Sequence, residues 1–143
     1  MKGYFLKIGG RGPDPAAVLA EIDQAAAGKR PDEVVFCGYG EPTLRIEELK
    51  EIARGLKSRG HQVRINTDGL ANLVHGRDVL PELEGLVDSV SVSLNAQDAE
   101  TYVKYCPSRY KQKAWPAVKE FIRAAKAHLP DVQATVVGLP DVD

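Results

Sequence analysis

Val34-Val35-Phe36-Cys37-Gly38-Tyr39-Gly40-Glu41-Pro42-Thr43-Leu44 places a short run of apolar strand formers directly before a glycine-rich turn closed by proline. The run Val34 to Cys37, bounded by Pro31-Asp32 and by Gly38, is the pattern of a strand covered on both faces. Gly38 and Gly40 let the backbone approach a ligand closely and take dihedrals closed to other residues, exposing carbonyls and amides to it. A cationic amino group can be held there. Glu41 adds a carboxylate, and Pro42 fixes the exit of the chain. Taken alone, such a turn is also ordinary punctuation between a strand and a helix.

Working outward, Asp14-Pro15 reads as an N-cap with proline at the first helical position, and Val18, Leu19, Ile22, Ala25 and Ala26 recur at helical spacing until Gly28. After the opening stretch, Leu49, Ile52, Ala53 and Leu56 form one apolar stripe, with charged residues on the wet face until Gly60. Gln62 to Asn66 is the next strand. Thr67-Asp68-Gly69 leads through a weakly helical stretch to Val87, and Ser89 to Asn95 then alternates with period two. Asp98 caps a short helix through Tyr105. Trp115 to Leu129 is a longer amphipathic helix on Val118, Phe121, Ile122 and Ala125, and Val132 to Val137 is a fourth strand. Strands alternating with helices give right-handed βαβ crossovers and a parallel sheet, with ligands expected at the carboxyl ends of the strands. Function is therefore expected in the strand-to-helix loops.

The chain has 143 residues, 19 Lys+Arg against 20 Asp+Glu, and 43% hydrophobic residues. That is one ordinary domain, able to remove roughly 70% of its unfolded surface from water. A net charge of −1 implies neither nucleic acid nor an anionic membrane as partner. No apolar run approaches the roughly 18 residues that cross a bilayer, and the Gly3-Tyr4-Phe5-Leu6 patch is too short for a signal-peptide core, so a cytoplasmic location is expected. Two cysteines are too few for a disulfide framework or an all-cysteine metal site within the chain.

The turn from Cys37 to Leu44 resembles the Gly-Gly-Glu-Pro segment of the radical S-adenosylmethionine (radical SAM) superfamily, in a Gly-x-Gly-Glu-Pro form. Asn66-Thr67-Asp68-Gly69 resembles that family's Thr-Asn-Gly turn after its third barrel strand, and Ser91 to Asn95 its ribose-side fourth strand. Within the superfamily, Cys37 to Leu44, Arg64 to Leu73 and Val90 to Asn95 resemble the group associated with TatD-family hydrolases. The resemblance implies an α/β fold, a partial TIM-like barrel of βα repeats. It also implies S-adenosylmethionine as a cofactor, its methionyl amino group held by Gly38, Tyr39, Gly40 and Glu41. Asn66 and Thr67 would stand beside the methionine portion, and Ser93 and Asn95, on one face of their strand, would face the ribose or carboxylate. In the intact family a [4Fe-4S] cluster reductively cleaves the sulfonium, and the 5′-deoxyadenosyl radical abstracts hydrogen from a substrate.

The departure from the family is the cysteine loop. No Cys-x-x-x-Cys-x-x-Cys precedes Asp14, and Cys37 and Cys106 are too far apart to replace it, so the cluster is not expected in this chain. Residues 1–143 are therefore expected to be a single truncated radical SAM core, lacking the first strand with its cysteine loop and the last strand, and leaving two open sheet edges. A shortened form, a misplaced start codon or a degraded gene product would each account for it. This chain alone is expected to be an inactive fragment, with no catalytic residue assigned. The alternative is a cluster-less α/β module that binds a ligand, or self-associates through its edges.

Residues 78 to 103 carry six acids and no base, and 104 to 119 carry Lys104, Arg109, Lys111, Lys113 and Lys119 and no acid. Tyr102, Tyr105, Tyr110 and Trp115 interleave with the basic run, a composition that can grip an anionic substrate of unassigned identity. A solvated helix surface is the commoner explanation of such a run. His61, His75 and His128 are too scattered for a metal pair and are expected on the surface. Cys37 is expected as a small filler in a buried strand, and Cys106, beside Pro107, as the more exposed thiol.

Overall fold

The computed structural model describes residue 12 and residues 14–27, 31–38, 40–138 and 142. Its elements run α1 (Pro15–Ala25), β1 (Glu33–Phe36), a 3-10 turn (Pro42–Arg45), α2 (Ile46–Ser58), β2 (Gln62–Thr67), α3 (Ala71–His75) and α4 (Leu80–Leu83). Then follow β3 (Ser89–Ser93), α5 (Ala99–Tyr105), a second 3-10 turn (Lys111–Lys113), α6 (Ala114–His128) and β4 (Asp131–Thr135). Asp14 caps α1, accepting from the Ala17 amide at 3.2 Å, with Pro15 at the start of the helix as its fixed φ favours. The weakly helical stretch before Val87 resolves into α3 and α4, separated by Gly76 in the left-handed conformation, φ 65°. Among the described residues no helix is long and apolar enough to cross a membrane.

The four strands form one parallel sheet in the order β1-β2-β3-β4. A doubly wound sheet would reverse its strand order midway, and this one does not. With right-handed crossovers, a monotonic order puts every connecting helix on the same face, the arrangement of an arc of a βα barrel. The side chains agree. Val34 and Phe36 of β1, Val63, Ile65 and Thr67 of β2, and Val90 and Val92 of β3 face the helices, where the core is completed by Leu49, Ile52 and Leu56 of α2 and Val118, Phe121 and Ala125 of α6. The other face is largely polar: Arg64 and Asn66 lie beside Ser89 and Ser91, and Ser91 and Ser93 beside Gln133 and Thr135.

Several expectations are corrected. β1 stops at Phe36, its residues are only half-buried, and Cys37 is exposed rather than a buried filler. Among the described residues β1 has a neighbour on one side only, which leaves its outer edge without the second cover that a buried parallel strand has. β3 ends at Ser93 because Asn95 turns into the left-handed region, φ 57°, and the amides of Leu94 and Asn95 both donate to the Thr135 carbonyl. Period-two alternation therefore does not carry Ser93 to Asn95. His61 is 4% exposed, its Nδ1 3.0 Å from the Pro31 carbonyl, and His75 is half-buried.

Candidate functional site

The carboxyl ends of β1, β2 and β3 bring three turns together, and one side chain joins the first two. Glu41 caps the 3-10 turn that opens the path to α2. Its Oε1 accepts from the Thr43 amide at 3.0 Å, the Thr43 hydroxyl at 2.6 Å and the Thr67 hydroxyl at 2.7 Å, while Oε2 accepts from the Asp68 amide at 2.8 Å. Thr67 in turn accepts from the Gly69 amide at 3.1 Å. His75 Nε2 lies 2.7 Å from the Thr43 carbonyl, so α3 braces the same turn. Glu41 thus spends its carboxylate on the protein. Those bonds fix the turns on either side of it.

Gly38 and Gly40 have φ of 130° and 124°, and a Cβ built on either meets nothing within 4 Å. The backbone there is strained for any L side chain, and it borders open space. That is a cradle kept free beside the end of β1, and it fits the polar head of a ligand held by main-chain groups. Tyr39 lies outside the described residues. Gly69, φ 74°, is glycine for a different reason: a Cβ would lie 2.7 Å from Val92 Cγ1 and 3.3 Å from Val118 Cγ1. Gly69 seals the turn onto the core, whereas Gly38 and Gly40 leave theirs open.

Asn66 is exposed on the polar face of the sheet; Thr67 is 3% exposed and is tied to Glu41. Ser93 and Asn95, despite the end of the strand between them, line one cavity with Asp68, Tyr102, Cys106 and Ser108. Asn95 Nδ2 is 3.5 Å from Cys106 Sγ, so Cys106 is the half-buried thiol and Cys37 the exposed one, the reverse of the expectation. Asp68, Tyr102 and Cys106 were not singled out as site residues from sequence. Their signal was the departure of Asp68 from the family's asparagine and the four-residue spacing of Tyr102, on α5, and Cys106, at its C-cap.

The matched family follows from these features. Residues 5–143 match the Radical SAM superfamily, and the chain belongs to it. No curated protein matches the chain. A [4Fe-4S] cluster of that family is held by cysteine thiolates. This sequence has two cysteines, and no group of three His, Cys, Asp or Glu side chains among the described residues could hold a metal ion. The cluster does not fit this donor set; the family implies S-adenosylmethionine, and the turn of Gly38 and Gly40 borders open space.

Two outcomes follow from the Glu41 bracket and from the burial of Asp68. Glu41→Gln leaves one of the amides of Thr43 and Asp68, or a threonine hydroxyl, without its acceptor, and urea unfolding is expected to show a loss of about 1–3 kcal/mol. The Asp68 carboxyl is held above its ordinary value, first by burial, against the pull of the Leu70 amide, and also by the charge of Glu41. The native state therefore keeps this proton longer than the unfolded chain, and stability falls as pH rises from the ordinary carboxylate value through the raised one. Asp68→Asn keeps an acceptor for Leu70 and removes the charge. Unfolding measured from about pH 4 to about pH 7 is expected to show the variant gaining on the parent as pH rises; a gap that stays constant contradicts the assignment.

Proposed function

We propose that this chain carries the S-adenosylmethionine cradle of a radical SAM enzyme, of the group associated with TatD-family hydrolases. The observation that supports this reading best is the pair of positive-φ glycines facing open space at the carboxyl end of β1, in a chain of that superfamily. When bound, S-adenosylmethionine supplies the family's hydrogen-abstracting adenosyl group. The chain's own residues do the positioning. The turn of Gly38, Tyr39, Gly40 and Glu41 would hold the methionyl amino group, which donates to main-chain carbonyls of that turn. Glu41 and Thr67 lock the turns of β1 and β2 to each other, so the cradle is held before the ligand arrives, which reduces the ordering cost of binding. Asn66 stands beside the methionine portion at the end of β2, and Ser93 and Asn95 supply hydrogen-bonding groups for the ribose or carboxylate.

The three thiolates that hold the family's iron–sulfur cluster are not among these 143 residues. The alternative, a cluster-less ligand-binding or interaction module, draws on the same two-cysteine count and on the open outer edges of β1 and β4 among the described residues.

Calorimetric titration of the chain with S-adenosylmethionine tests the cradle. Binding is expected to be weak, and Gly40→Val, which forces a β-branched residue to φ 124° and fills the open space, is expected to weaken it at least about tenfold. Equal binding by parent and variant, or none by the parent, removes the reading. Anaerobic incubation with iron and sulfide is expected to leave the chain without the brown absorbance of a [4Fe-4S] cluster and unable to form 5′-deoxyadenosine. Appearance of both would show that thiolates from this chain suffice.

A further inference from the structure

Helix α1 carries an apolar stripe, yet none of its residues is buried. Val18 and Ile22 instead line a groove beside β1, made of two adjoining cavities of about 440 and 410 Å³ that share Ile22, Val34 and Val35. Its lining is predominantly apolar, with Phe36 of β1 and Leu44 completing it, and Leu44 is 54% exposed. Along this groove runs the outer edge of β1, which among the described residues pairs only with β2. The main-chain groups of such an edge are a template for one more strand, and the apolar walls select a strand with one apolar face.

The opposite flank has the converse feature. Among the described residues β4 pairs only with β3, and four of its five residues are exposed. Register sets Val132 beside Val90 and Ala134 beside Val92 on the helix-facing side. Val90 and Val92 are fully covered there, whereas Ala134 is exposed and Val136, just past the strand, is 48% exposed. The other side of β4 is polar, with Asp131, Gln133 and Thr135. β4 is thus a strand in want of a covering helix, and α1 a helix in want of a strand to cover. Leu44, Val136 and Val137 are the exposed large apolar residues among those described, and all three lie at these two flanks. Charge on the polar face agrees with the match. Arg64 reaches Glu33 of β1 at 3.1 Å with its Nε buried and unpartnered, and the β4 flank carries the exposed carboxylate of Asp131.

We propose that two copies of this chain pair head to tail, β4 of each seated in the groove between α1 and β1 of the other, and so close an eight-stranded parallel βα barrel. The order β1-β2-β3-β4, with every connecting helix on one face, is half of such a ring. A two-fold axis forms both seams at once, so association stops at two copies. Pairing β1 with β1 would leave both β4 flanks bare. Because the seam is parallel, it brings the carboxyl end of the second copy's β4 to the same end of the barrel as Gly38 and Gly40, and each glycine turn gains a wall from the other copy. This deepens the alternative reading above, association through the open edges, by naming the partner and the seam; it does not depend on the cradle.

Sedimentation equilibrium of the full chain is expected to give twice the chain mass and no larger species. Ala134→Lys puts a charge where the single chain is exposed and the seam is enclosed. It is expected to raise the dimer dissociation constant at least about tenfold while the amide spectrum stays that of a folded protein. Ile22→Glu, on the groove side, is expected to do the same. Mixing the two variants, at a concentration where each alone is monomeric, is expected to restore a dimer, because the mixed pair has one seam free of both substitutions. A parent chain that stays monomeric overturns this proposal and the edge reading together. A dimer untouched by Ala134→Lys, or variants that stay monomeric when mixed, overturns the head-to-tail seam and leaves edge association standing. Species that keep growing with concentration overturn the closed ring.

Discussion

Glu41 accepts four hydrogen bonds with two oxygens, and those bonds decide where the ends of β1 and β2 stand relative to each other. Parallel strands have no hairpin to tie them, so their carboxyl ends are related only through the sheet and through whatever the loops exchange. Here the exchange is a charge-assisted bracket in which a carboxylate takes amides from both turns. The glycine cradle, the Asp68 turn and, through the Thr43 carbonyl, α3 all take their positions from it. A residue that the family pattern presents as part of a ligand site thus serves as the mortar between two of its walls.

The two faces of the sheet divide the remaining tasks. Facing the helices, valines, Ile65 and Thr67 interlock with α2 and α6, and Gly69 admits Val92 and Val118 so closely that no side chain fits at its position. Facing away, Arg64, Asn66 and the serines of β3 leave a polar surface that contributes little to the core and much to what the sheet can touch. Stability and recognition are therefore carried by alternate residues of the same strands. A change on one set need not disturb the other, except at the turns where Thr67 and Asp68 belong to both.

Much of this was legible in the residues themselves. The helical stripe of α2 and the period-two pattern of β3 follow directly from apolar spacing, and the order of strands and helices announced the parallel sheet. The glycine turn was legible as a place where the backbone takes positive φ, as Gly38 and Gly40 do. The length of β3 was not legible, because its end depends on Asn95 entering the left-handed region and on a carbonyl of β4, a contact no local pattern encodes. Nor was the burial of His61, which is satisfied by Pro31 thirty positions away. Tyr102 looked like one of several aromatic residues in a basic run. Only the packing of α5 against α6 and the second 3-10 turn separates it from Tyr105 and Tyr110, because a helix of seven residues turns just one of its tyrosines fully inward.

The strand order has a consequence for how the chain comes to be folded. Each strand pairs with the strand next to it in sequence, so no strand waits for a distant partner. The growing edge of the sheet is always the most recently added strand, and closing each βα unit spans only a few tens of residues, which keeps the entropy of closure modest. Such a sheet can be laid down in the order of synthesis, each finished unit serving as the template for the next. The same property makes the fold extensible at either flank: another βα unit can join without re-pairing the strands already in place.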